Sequence, residues 1–217
     1  MQAVLAFAAA LVALRLGGAL VRRWRERRAP ELAAWAASLL AYALACGALA
    51  WGAAAGWDAR AFRAYYLFGG LLTAPLLGVG SLLRAGVRWI GAVGLAYAGL
   101  AVGVALAVPV SGSFAGSGIP PAQDHLDLFP ARLLAILGNG VGTLAAVSVA
   151  VLTIRRRPLG NAFVLAGLAV AATGSALVGL GEAGTAAVFA AAALLLYVGF
   201  SAPAGWRLSS SSSKSDR

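Results

Sequence analysis

An all-α, polytopic membrane protein of seven transmembrane helices, N-terminus outside and C-terminus inside, is the fold that three observations predict. The chain has 217 residues, 61% hydrophobic and 11% charged, with a mean hydropathy of +0.87. A soluble domain carries roughly 25% charged residues. The apolar residues come in blocks of about 20, the length that crosses a hydrocarbon core of about 30 Å at 1.5 Å per residue. The arginines cluster at the ends of those blocks, as membrane topology demands.

The expected spans are about 2–21, 31–54, 62–83, 87–110, 131–154, 160–181 and 184–204, each long enough to cross. In the first, MQAVLAFAAALVAL precedes RRWRERR. That is the reverse of a signal peptide, so this segment is expected to stay in the membrane. The third, RAYYLFGGLLTAPLLGVGSLL, contains Pro75, which removes a helix hydrogen bond and leaves a carbonyl near residue 71 free. Gly69, Gly70, Gly78 and Gly80 loosen the helix around it. The fourth carries Gly91, Gly94, Ala98, Ala101 and Ala105 on one face, and the sixth carries Ala162, Ala166, Ala169, Thr173 and Ala176 in the same spacing. Such small-residue stripes predict packing seams.

The links are short except 111–130, SGSFAGSGIPPAQDHLDLFP, whose Pro130 is expected to open the fifth helix at its first position. Residues 1–207 therefore read as one transmembrane domain, and the Ser-rich stretch 208–217 as a disordered cytoplasmic tail.

Charge sets the orientation. Thirteen of the seventeen cations fall on the side of the 22–28, 84–88 and 155–157 links and the tail, against Arg60, Arg63 and Arg132 on the other. The richer side is cytoplasmic. Arg15, the remaining cation, lies within the first span, where its stem can snorkel to the headgroups. The net charge of +10 and pI of 11.2 belong to this pattern and not to nucleic-acid binding. Arginine supplies 16 of the 17 cations in an Ala- and Gly-rich chain, a bias of GC-rich coding sequence that points to a bacterial inner membrane. The first and fifth spans both run into an arginine cluster and a proline (RRWRERRAP, IRRRP). This permits a 3 + 1 + 3 plan of two like-oriented units, although any two positive-inside hairpins share the likeness.

Several chemistries are excluded by residue type. The only lysine, Lys214, is in the tail, so no retinal Schiff base can form within the membrane. One histidine, His125, cannot hold a bis-histidine haem, and with the single Cys46 cannot complete a zinc site. A lone cysteine also makes no intramolecular disulfide. Carboxylates reach the spans only at their boundaries, as Glu31 and Glu182, which argues against a proton relay. Asp124, His125 and Asp127 sit in an aqueous loop ahead of a helix, where acidic residues are stabilised by the helix dipole. No cofactor or metal is expected, and no enzyme activity, for want of clustered catalytic groups.

The polar residues that remain define a candidate site. In LGNGVGT, Asn139 lies about 12 Å below the outer end of its span, with Thr143 one turn deeper on the same face. Thr173 and Ser175 of the sixth span lie at similar depth. Gly138 and Gly142 form a GxxxG that lets a neighbouring helix approach the amide. Asn139 thus either pins two helices or, with Thr143, Thr173, Ser175, Pro75 and Tyr66, lines an outer-half pocket beside a broken helix.

The third-span pattern, an aromatic followed by Tyr-Leu-Phe-Gly, a proline and Leu-Gly-x-Gly, and the link RRRPLGN before the sixth span resemble a family of seven-span integral membrane proteins of high-GC Gram-positive (actinobacterial-type) bacteria. The resemblance covers most of the chain and carries neither an activity nor a functional residue. Two functions are consistent with the residues. One is binding or transport of a small, largely apolar solute. The other is a structural or accessory subunit, or a sensor, with no ligand of its own. The expected partners are the bilayer, a small molecule, and a second copy or complex subunit through the small-residue faces.

Overall fold

The computed structural model describes residues 2–114, 118–156, 158–179 and 185–201, with the side chains of residue 2, of 171–179 and of part of 185–201 outside the description. The tail 208–217, and the side chains of Thr173 and Ser175, thus lie outside the described residues. Helices account for nearly all of the rest, and no strand occurs among the described residues.

Helix α1, Gln2–Arg27, runs past the expected end of its span. Charged side chains do not end a helix, and Arg25 and Arg27 complement the negative end of its dipole. Arg28, in the left-handed region at φ 52°, turns the chain. Pro30 then opens α2, Pro30–Ala55, where its missing N–H leaves nothing unsatisfied. Gly56, at φ 91°, ends α2 in a conformation that glycine adopts freely. Asp58 caps α3 by accepting from the Ala61 amide at 2.7 Å.

Helix α3, Ala59–Arg84, crosses without interruption, but its centre, Tyr66–Leu72, is wound as a wider π-helix. Helix α4 spans Ile90–Ala107, inside the expected 87–110. After a single helical turn at Ala122–His125, the chain enters the fifth helix. Pro130 sits in a first turn of π type, Leu128–Arg132, with an extended Phe129 inside it, so the helix does not start regularly there. Helix α5 proper is Leu133–Leu152, followed by α6, Pro158–Gly179, and α7, Thr185–Ser201.

Among the described residues five helical stretches are long and apolar enough to cross a membrane: Ala3–Arg27, Pro30–Ala55, Ala59–Arg84, Ile90–Ala107 and Leu128–Leu152. Their outward faces are apolar too. Leu95 is 78% exposed and Val141 65%, as expected of surfaces facing lipid and not of a water-soluble exterior. The guanidinium-bearing Arg15 is also on an exposed face of α1.

The most extensive pairings are α1 with α2, α2 with α3 and α6 with α7, with the inner half of α3 wedged between α2 and α5. In the first three-helix unit the middle helix thus pairs with both neighbours, whereas in the second α6 pairs chiefly with α7, so the 3 + 1 + 3 units do not pair alike. On α4 the expected seam is present: Gly94 and Ala101 are buried, and Leu95, Leu100 and Leu106 face outward. On α6 it is not. Ala162, Ala166 and Ala169 are exposed, and Gly160, Val164, Gly167 and Leu168 are buried instead. The reason is the approach of α7, where a Cβ at Gly199 would lie 2.6 Å from Val164 and 2.7 Å from the Gly160 carbonyl. Glycine permits that approach better than alanine.

Candidate functional site

Pro75, just beyond the widened turn of α3, leaves the Leu71 carbonyl without its helical donor. Within a bilayer such a group must be satisfied by protein. Four side chains from four helices donate to the carbonyls of residues 68–73. Thr73 donates from its own helix to the Phe68 carbonyl at 2.7 Å. Asn139 of α5 donates through Nδ2 to Gly70 at 2.9 Å. Tyr97 of α4 donates to Leu71 at 3.0 Å, with Leu134 of α5 as a longer alternative at 3.3 Å. Ser38 of α2 donates to the Thr73 carbonyl at 2.7 Å. The Leu71 carbonyl is the one that Pro75, lacking an N–H, cannot serve.

Glycine makes the contact possible. A Cβ at Gly142 would strike the Ala74 carbonyl, one at Gly78 would lie 2.5 Å from the Gly142 carbonyl, and one at Gly138 would strike the Tyr97 hydroxyl. Backbone therefore touches backbone where α5 crosses α3, and the Asn139 amide reaches Gly70 across that crossing. The expected GxxxG approach is present, and among the described residues the neighbour it meets is α3. Depth along a span says which residues share a level, not which helices adjoin. Helix α6 packs chiefly on α7.

The sequence candidates divide accordingly. Asn139 and Pro75 meet at this crossing, Pro75 buried and Asn139 half-buried. Tyr66 is half-buried at the start of the π-turn, its ring stacked 6.0 Å from Phe62. Thr143 is half-buried one turn below Asn139, with no side-chain hydrogen bond among the described residues. Ser38, Thr73 and Tyr97 were not singled out by the sequence. A usable signal existed for Tyr97, the one bulky polar residue on the small-residue face of α4, and for Thr73, two residues before Pro75. Ser38 gave none.

The 111–130 loop is settled by packing. His125 is buried, with Nδ1 at 2.8 Å from the Ser111 carbonyl and its ring stacked on Phe114 at 4.3 Å. Asp124 and Asp127 point elsewhere, exposed. The histidine fastens the loop over Phe62 at the start of α3, 5.1 Å between ring centres. At the same end Arg63 donates to the Ala105 carbonyl at 2.6 Å, satisfying the C-terminus of α4.

The crossing itself is closely packed. A cavity of about 400 Å³ lies at the opposite end of the bundle, among the starts of α2 and α6 and the ends of α3, α5 and α7. Compared with known proteins, the chain matches no family model, no curated protein and no solved structure.

Proposed function

We propose that this chain is a seven-span, N-out/C-in protein of a bacterial inner membrane that binds or moves a small, largely apolar solute, with α3 as the element that responds. The observation that carries the reading is the convergence of Ser38, Thr73, Tyr97 and Asn139 on the carbonyls of residues 68–73. Pro75 withholds one backbone donor from this turn and side chains of three other helices reach into it, so the cluster marks a place where the backbone can exchange partners. Membrane transporters use interrupted helices in this way. Asn139, Thr143, Pro75 and Tyr66, with Thr173 and Ser175 of α6, are the residues proposed to meet the solute. The thirteen-to-three division of cations supports the orientation. The reading is non-enzymatic.

A second reading, an accessory or sensor subunit, is favoured by a different observation. Each of those carbonyls already has a partner within the chain, and only 17% of the α4 span is buried, leaving a face for another subunit. Asn139→Leu separates the two. For a solute site, medium-chain fatty acids or prenols should raise the thermal midpoint of purified wild-type protein and leave the variant unmoved. For a purely structural amide, no such compound shifts either protein, and the variant loses only about 0.6–1.7 kcal/mol, the range for polar bonds between membrane helices.

A further inference from the structure

The cavity at the arginine-bearing end differs in chemistry from the α3 crossing. Three charged residues line it: Glu31 begins α2, Arg84 ends α3, and Arg156 follows α5. The lining also has an apolar part, to which Ala146, Ala150 and Val164 contribute. Its volume, about 400 Å³, is that of a small-molecule site. We propose that it binds the phosphate group of an amphiphile, with the apolar portion lying against the apolar lining. The site stands whether or not a solute engages the widened turn of α3.

Three features point to an anion. Arg84 is held in place, 5.8 Å above the Trp35 ring, but its Nη1 is 3.8 Å from Glu31 Oε1, a long ion pair, and its side chain is 40% exposed. A guanidinium has five donors in a rigid fork, so most remain available. Arg156 has no ion-pair partner among the described residues. Two guanidinium groups therefore face the space against one carboxylate. The turn bearing Arg156 is also braced: buried Asn161 donates to Thr153 Oγ1 at 2.8 Å, which donates onward to the Val149 carbonyl at 2.7 Å. Helix ends lie at headgroup depth, where basic pockets between helices meet acidic lipid heads. A neutral occupant would leave Arg156 without a counter-ion among the described residues and Arg84 with only its long pair to Glu31.

The full-length protein in neutral detergent would be titrated with dihexanoyl-phosphatidic acid, with dihexanoylglycerol as its phosphate-free counterpart, and with inorganic phosphate, reading the thermal midpoint. Phosphatidic acid should raise the midpoint saturably and dihexanoylglycerol should not. Arg156→Gln should weaken the apparent Kd about tenfold, Arg156→Lys less, and Val149→Phe, which fills the space without altering charge, should abolish the shift. Arg25→Gln, an exposed arginine at the same end outside the cavity, should behave as wild type. If inorganic phosphate alone reproduces the shift and its loss in the variants, the phosphate site is upheld with a soluble occupant. A similar shift with dihexanoylglycerol, no shift with either phosphate compound, or an unchanged Kd in Arg156→Gln would overturn the proposal.

Discussion

Pro75 and Tyr97 form a donor-for-donor exchange. The proline withholds the N–H that would serve the Leu71 carbonyl, and the tyrosine hydroxyl supplies one at 3.0 Å. Tyr97→Phe should therefore cost about 0.6–1.7 kcal/mol in unfolding from detergent micelles. Pro75→Ala returns the backbone donor, so Tyr97→Phe should cost less in that background, with a coupling of at least about 0.5 kcal/mol. Equal losses in both backgrounds would mean that the hydroxyl does not replace the missing amide. Part of this site was legible in the sequence. A lone Asn139 in an apolar run, and a proline two residues after a threonine, stand out because hydrocarbon leaves such groups no other partner. Ser38 was not legible, since one hydroxyl among many gains its meaning only from the helix it faces.

At the scale of elements, glycine separates a contact surface from a lipid-facing one on the same helix. Gly142 abuts the Ala74 carbonyl, whereas nothing lies within 4 Å of a Cβ at Gly140. Gly142→Ala should push α5 from α3 and lose about 1–3 kcal/mol. Gly140→Ala should be neutral or gain up to about 1 kcal/mol from helix propensity. Thermal unfolding of the two variants checks the contrast, and equal midpoints would remove the close crossing. The positions of the helices were legible because apolar blocks of span length have few alternatives. Their ends and faces were less so. Helix α1 continues through its arginines to Arg27, and α6 buries its glycines where a stripe of alanines, equally small, suggested the seam. Small-residue spacing identifies a face that can pack, and the partner helix decides which one does.

For the whole molecule the orientation rests on charge alone, and it governs which end each feature occupies. A reporter active only in the cytoplasm should work when fused after Arg217 and fail within 111–130. Activity in that loop would invert the assignment, placing the His125-fastened loop inside and the arginine-lined cavity outside. The two ends are built differently in either case, one closed by stacked aromatic rings and the other left open among charges. Between them runs α3, and its wide turn at Tyr66–Leu72 has a consequence for chain register. A π-turn is an α-helix that has absorbed one extra residue. Removed from that turn, one residue would leave the outer and inner faces of α3 aligned as they are. Removed anywhere else, it would rotate one half against the other by about 100°. The third helix thus carries one residue of slack, stored where the neighbouring side chains hold it.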